Sequence, residues 1–424
     1  MKTVHITHPT KKVNVTIQLP SSKSISNRVL IIQALYKNIE LKNLSTADDT
    51  IIMQNALPQK KGKINVKNAG TCMRFLTAYF ASTNCEIELH GDERMKQRPI
   101  KILVDALKEL GADITYINEE GFPPLKIKGK QLDGGKIKLN ASVSSQFITA
   151  LMLVAPTFHH GLEIELTDEI SSKSYIEMTS KLMIHFGFEC SFINNKILIP
   201  NTQINKSTNR QYLYQIEADW SSASYWYEIA ALCSDAEILL KNLSLKSLQG
   251  DCMISEYMKY FGVKTIENDD GVLLKKVKKT ETQSNSSLNQ SINLLSTPDL
   301  APTLVVTSAV KNIPIEIFGL KNLKIKESDR LSALEIELKK CGFNIEANND
   351  SLIIKQNLIN HQLSAIKKIQ TYNDHRIAMS LAPLALIFDE VIIENPDTIE
   401  KSYPNFWNDL KSARFVLKDE DQTD

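Results

Sequence analysis

Six stretches of one character recur along this chain, and their spacing constrains the fold more than any other feature. Each opens on small polar residues and continues into an apolar segment. They begin at Ser22 (SKSISNRVLIIQAL), Asn68 (NAGTCMRFLTAYFA), Ser142 (SVSSQFITALMLVA), Asp219 (DWSSASYWYEIAAL), Ser296 (STPDLAPTLVVTSA) and Tyr372 (YNDHRIAMSLAPLA). The first step is about 46 residues and the next four about 74 to 77. A second series marks helix ends: Gly111, Gly187, Gly262 and Gly342 recur about every 75 to 80 residues. Glycine takes the left-handed position after a helix without steric cost. Short alternating runs follow it, such as residues 113–117 and 189–193, and alternation marks strands. The period is too long for a solenoid repeat. It suits a compact unit of two helices and several strands, repeated six times.

A chain of 424 residues exceeds one ordinary core. The expectation is an α/β protein of two domains with three units each, 21–217 and 1–20 plus 218–424. The strand before Pro20 goes with the second half, so the chain crosses twice. The first unit is short: 48–57 reads as its second helix and 60–67 as a clipped basic connection. Residues 279–291 read as a polar loop and 419–424 as a frayed acidic tail.

Lys and Arg number 50 against 49 Asp and Glu. Generic nucleic-acid binding normally shows a basic excess, so it is excluded. The six cysteines are scattered without a CxxC pair, which fits a reducing compartment and neither metal nor disulfide use. No run approaches 18 apolar residues, and the N-terminus lacks the apolar core of a signal peptide. A soluble, cytoplasmic monomer that binds neither nucleic acid nor membrane is expected.

If the six units are equivalent, their helix N-termini converge. Positive helix ends gathered on a charge-neutral protein suit a small, highly anionic ligand. The helix mouths carry the matching groups. Ser22 or Ser24 caps the first, with Lys23 at its mouth and Arg28 one turn on. Gly70-Thr71 allows close backbone approach, and Arg74 follows. Residues 91–99 (GDERMKQRP) end beside Arg98. Ser144, Ser145 and Gln146 sit at one mouth; Ser172 and Tyr175 repeat the idea. Asp299 follows Pro298. Residues 322–330 (NLKIKESDR) bring Asn322, Lys326, Glu327, Asp329 and Arg330, with Lys326 and Arg330 spaced i, i+4 as neighbours on one helical turn. His375 and Arg376 open the sixth segment, and Lys401 opens a final helix. Singly, each is explained by a plain cap or a solvated charge. Their recurrence at corresponding places in a repeat favours a site.

The ordered set SSKSISNR, NAGTCMR, GDERMKQRP, SVSSQF, TPD, KESDR, NDHR and KSYP closely resembles the 5-enolpyruvylshikimate-3-phosphate synthase family, from Lys23 to Pro404. The resemblance implies a two-domain inside-out α/β barrel of six units, with the active site in the interdomain cleft. It implies transfer of enolpyruvyl from phosphoenolpyruvate to the 5-hydroxyl of shikimate 3-phosphate, with release of phosphate, on the route to chorismate and aromatic amino acids. It assigns shikimate 3-phosphate to Lys23, Ser24, Arg28, Ser144, Ser145, Gln146, Ser172, Tyr175, Asp299, Asn322 and Lys326. It assigns phosphoenolpyruvate to Lys23, Gly70, Arg98, Gln146, Arg330, His375, Arg376 and Lys401. Asp299, Glu327 and Lys23 are the implied catalytic groups, and no metal or organic cofactor is implied. Ser21, Ser174 and Phe75 stand where family members often have glycine, proline and proline.

The chemistry suits those roles. Arginine forks match a phosphate and a carboxylate. Attack of a hydroxyl on C2 needs a base, for which Asp299 is placed, and C3 needs an acid, for which Glu327 serves. Bringing two anions together calls for domain closure. The nearest rival is the UDP-N-acetylglucosamine enolpyruvyl transferase, which uses a cysteine on the loop equivalent to residues 91–99. That loop has none here. An inactive anion-binding relative is the other alternative, against which the joint presence of Lys23, Asp299, Glu327, Arg330, His375 and Arg376 argues.

Overall fold

The computed structural model describes residues 2–36, 38–202, 212–277, 291–357 and 366–421. The chain forms two compact units, Ser21–Ile216 and Met1–Pro20 with Glu217–Asp424. Glu217 goes with the latter, where its carboxylate accepts from Ser247 (2.6 Å) and Gln249 (2.8 Å).

Each of the six segments supplies one inner helix: α1 (Lys23–Leu35), α2 (Gly70–Ala81), α3 (Ser145–Val154), α4 (Trp220–Leu232), α5 (Ala301–Val310) and α6 (His375–Leu381). Within Ser21–Ile216, α1, α2 and α3 all touch one another; within the other unit, α4, α5 and α6 do the same. These helices are mostly apolar and buried on nearly every side, the pattern of a helix with little solvent face. Some of their hydroxyls are satisfied inside the helix, and others bond to a neighbouring helix, as Ser224 does with Thr303 (3.0 Å). Thr77 donates to the Met73 carbonyl (2.7 Å), Thr307 to Thr303 (2.8 Å) and Ser308 to Leu304 (2.7 Å).

Sheets surround the helices, three in each unit. Five are four-stranded and share one order. In the first, Lys61–Asn65 runs parallel to Cys85–His90, which pairs antiparallel with Leu125–Gly129, and that with Asp113–Tyr116. The parallel step needs a crossover, and the inner helix provides it. The burial pattern alternates, so each sheet lays one face on the helices.

Two strands are exchanged. Lys12–Gln18, which precedes α1, runs parallel to Asp235–Lys241, which follows α4. Tyr212–Gln215, which precedes α4, runs parallel to Ile39–Lys42, which follows α1. Each unit thus closes its sheet with a strand that the chain reaches only by crossing.

Two expectations change. Residues 60–67 are not a clipped connection: Lys61–Asn65 is the edge strand of its sheet, its charged side chains facing solvent. The acidic tail is ordered through residue 421, because Val416–Asp421 pairs along Lys2–Thr7. Of residues 279–291, read as a loop, 279–290 lie outside the described residues and Ser291 opens the strand Ser291–Asn293. The four marker glycines do take left-handed φ values of 97°, 87°, 78° and 94°.

One core group stands out. Glu228 on α4 is 0% exposed, and neither carboxylate oxygen has a hydrogen-bond partner among the described residues. Burial pushes its pKa well above the usual carboxylate value. A carboxyl held neutral in the fold but ionised when unfolded destabilises the protein progressively as pH rises from about 4.5. Below that value both states are protonated and the effect vanishes. Glu228→Gln is therefore expected to raise the melting temperature at pH 7. Its advantage should shrink toward zero as the pH falls to about 4.5, read by thermal unfolding across pH. An advantage independent of pH would contradict the neutral carboxyl.

Candidate active site

In Ser21–Ile216 the polar groups collect at the starts of α1, α2 and α3. Ser22 caps α1, accepting from the Ile25 amide (3.4 Å). Lys23 is the first residue of α1, and its ammonium pairs with the buried Asp49 carboxylate at 3.2 Å. Arg28 turns back along the helix and donates to the Ser24 carbonyl (2.7 Å). Its Nε donates to Thr179 Oγ1 (2.9 Å), and its guanidinium lies 5.5 Å from the ring centres of Phe75 and Tyr175. Burial lowers the Arg28 pKa to about 10, which leaves it charged at neutral pH. Arg28 and Tyr175 are thus neighbours.

Gly70 and Arg98 are neighbours too. A β-carbon on Gly70 would stand 2.4 Å from Arg98 Nη2, so any side chain there would displace the guanidinium from this position. Arg98 also donates to the carbonyl and side chain of Asn68, both at 3.3 Å. Arg74 braces the loop, donating to the carbonyls of Pro99 (2.8 Å) and Gly70 (3.3 Å). Ser144 caps α3 by accepting from the Gln146 amide (3.2 Å). Gln146 reaches α2, donating to Thr71 (3.3 Å). Ser145 is the buried first residue of α3. Ser172, left-handed at φ 56°, starts the helix Lys173–His185.

The other unit builds one ion-pair network around Arg330, which is 1% exposed. Its guanidinium donates to Asp299 (2.9 Å), to Glu327 (2.9 Å) and to Asp374 (2.8 Å). Burial alone would lower its pKa, but the three carboxylates more than reverse that and raise it. Asp299 reaches on to Arg376 (3.0 Å), and Glu327 to Lys401 (3.1 Å). Three cations and three carboxylates therefore interlock. Asp374 also caps α6 through the Arg376 amide (2.9 Å) and accepts from Ser328 (2.9 Å). His375 lies buried beside it, Nδ1 3.7 Å from Asp374. Asn322 is buried on the 3₁₀ turn Lys321–Ile325, and Lys326 follows in extended conformation.

Two local readings change here. The helix begins only at Arg330, so Lys326 is not its neighbour one turn back; Glu327 occupies the position that pairs with Arg330. Lys401 does not open the last helix but closes the 3₁₀ turn Pro396–Lys401, ahead of Phe406–Ser412. Sequence reasoning left out Asp374, Asp49, Ser221 and Asp251. Asp374 stood inside the NDHR motif; for Asp251 no local signal existed.

The chain is similar to one family of proteins along nearly its whole length. The sequence pattern of the family described as EPSP synthase (3-phosphoshikimate 1-carboxyvinyltransferase) matches residues 53–410. A 3-phosphoshikimate 1-carboxyvinyltransferase from Bacteroides fragilis is 44% identical over 410 residues, covering 96% of this chain and 97% of that protein. One from Haemophilus influenzae is 35% identical over 434 residues, covering 95% and 97%. The EPSP synthase structure from Acinetobacter baumannii superposes with a TM-score of 0.76 over 99% of this chain and 100% of that one, at 20% identity, which speaks for the fold alone. A two-domain inside-out α/β architecture, six helix mouths in the expected order and full-length relatives of one kind lead to a single statement: this chain belongs to the EPSP synthase family.

Proposed function

We propose that this protein transfers the enolpyruvyl group of phosphoenolpyruvate to the 5-hydroxyl of shikimate 3-phosphate, releasing phosphate. The match to the family over residues 53–410 carries the proposal. The interlocked cations of Arg330, Arg376 and Lys401 support it, because a phosphate and a carboxylate on one small donor call for several such groups.

The step balances with protons alone. Asp299 takes the proton of the attacking hydroxyl as oxygen bonds to C2, and Glu327 delivers a proton to C3. The tetrahedral adduct then returns a C3 proton to Glu327, the C2–O bond to phosphate breaks, and phosphate departs with the proton held by Asp299. Arg330, Arg376 and Lys401 each enter this chemistry already paired to a carboxylate. An anionic donor competes with Asp299 and Glu327 for them, and releases those carboxylates for proton transfer. Ser24, Arg28, Ser144, Ser145, Gln146, Ser172, Tyr175, Asp299, Asn322 and Lys326 are assigned to shikimate 3-phosphate, and Gln146 to the donor as well. Gly70, Arg98 and His375 join the donor set, and Lys23 is assigned to both substrates. Domain closure, a monomeric state and a cytoplasmic setting are part of the same reading. No helix among the described residues is long and apolar enough to cross a membrane.

Purified protein is expected to release phosphate from phosphoenolpyruvate only when shikimate 3-phosphate is supplied. Release with UDP-N-acetylglucosamine instead would assign the rival activity. Binding of both substrates without turnover would mark an inactive relative.

A further inference from the structure

Asp251 lies outside every motif, yet the fold brings it to the network. The 3₁₀ turn Gly250–Met253 is anchored to the start of α4 by Gln249. Its side chain accepts from the Trp220 amide (3.0 Å) and donates to the Ala218 carbonyl (2.7 Å). That anchor sets Asp251 beside Ser221, whose hydroxyl donates to Asp251 Oδ2 at 2.5 Å. Ser221 Oγ in turn accepts from Arg376 Nη2 at 3.4 Å, and Arg376 Nη2 pairs with Asp299 at 3.0 Å. Asp251 is 4% exposed, and its Oδ1 has no hydrogen-bond partner among the described residues. No cation contacts it directly among those residues.

Two carboxylates therefore draw on one guanidinium, and they are not equally placed. Asp299 has Arg330 as a second partner (2.9 Å). Asp251 has only the serine hydroxyl. An anionic ligand that engages Arg376 adds a third claim on that charge, and the least supported carboxylate is the one that gives way. We propose that Asp251, acting through Ser221, is a positioning residue that takes up one proton from solvent when the anionic donor substrate binds Arg376, and returns it when the site empties. This rests on the reading of Arg376 as a ligand of phosphoenolpyruvate.

The surroundings favour such an exchange near neutral pH. Burial, and then the charge of Asp299, raise the Asp251 pKa to about 7, against the pull of Arg376 and Ser221, with Asp219 at the start of α4 adding to the rise. The other ionisable groups near this turn are accounted for. Glu217 is held by Ser247 and Gln249, Glu228 lies about two turns along α4, and Glu256 pairs with Lys259 at the surface (2.5 Å). With Asp251 neutral, its carboxyl can donate to Ser221 Oγ, which turns the serine proton toward the ligand.

Linkage makes the idea measurable: binding that takes up a proton weakens above the pKa of the acceptor. The KM for phosphoenolpyruvate, measured at saturating shikimate 3-phosphate from pH 7 to 9, is expected to rise by up to about tenfold per pH unit. In Asp251→Asn, which mimics the protonated form, it should stay flat, with the difference confined to KM rather than kcat. Ser221→Ala removes the one donor to Asp251, so its rise should begin at higher pH. That variant also serves if Asp251→Asn does not fold. An unchanged KM–pH slope in a folded Asp251→Asn, or an unshifted onset in Ser221→Ala, overturns the proposal. Arg376→Lys separates the two levels. A raised KM at every pH beside an unchanged Asp251→Asn slope leaves the donor assignment standing and removes only the role of Asp251. An unchanged KM in Arg376→Lys removes both.

Discussion

Arg330→Met is expected to lower unfolding stability by about 3–5 kcal/mol, and to abolish most turnover at the same time. The size follows from what remains. Arg330 is the shared counter-charge of Asp299, Glu327 and Asp374. A buried ion pair adds little net stability, but deleting one partner strands the other at a cost of about 3–5 kcal/mol. Here three carboxylates are involved. Asp299 keeps Arg376 and Glu327 keeps Lys401, whereas Asp374 keeps the Ser328 hydroxyl and its capped amide. The penalty should therefore fall mainly on Asp374 and on the start of α6. Arg330→Lys keeps one charge but not the three-way fork, so an intermediate loss is expected. Urea titration and kcat/KM for phosphoenolpyruvate read the two effects. A folded Arg330→Met protein within about 1 kcal/mol of the parent would refute the shared counter-charge.

Glu327→Gln is expected to leave the fold and substrate binding nearly intact while lowering kcat by about 10² to 10⁴, the range for loss of a general acid. Glutamine keeps an acceptor oxygen for Arg330 or Lys401, so the local geometry survives. It has no proton to give to C3. The effect should appear in kcat with KM little changed, which separates it from Arg330, where binding and stability fail together. Unchanged turnover would remove the acid role from Glu327 and leave proton delivery to Lys23 or Asp299.

Much of the architecture was readable because it rests on local chemistry. Ser22, Ser144 and Asp219 stand at helix starts and accept the amide bonds that a cap supplies. The four marker glycines adopt left-handed backbone because other residues pay a steric penalty there. The edge strand Lys61–Asn65 escaped notice for the opposite reason. An edge strand with exposed lysines on both sides of a glycine looks, one residue at a time, like a loop. The candidate site was legible as a list of charged groups, but not as a circuit. Arg330 and Glu327 are three residues apart and easily paired. Asp374 is 44 residues from Arg330 and Asp251 is 30 from Ser221. No spacing rule joins such groups.

The amino-acid sequence alone determined the period, the six buried helices and the types of group at their mouths. Caps, glycines and apolar runs act over a few residues, and so they are written in order along the chain. The tertiary structure decided the exchange of strands Lys12–Gln18 and Tyr212–Gln215, and which carboxylate shares which arginine. Those outcomes depend on closing sheets around three central helices. Only that closure excludes water from groups far apart in sequence, and only away from water does the Arg330 guanidinium hold three carboxylates at once.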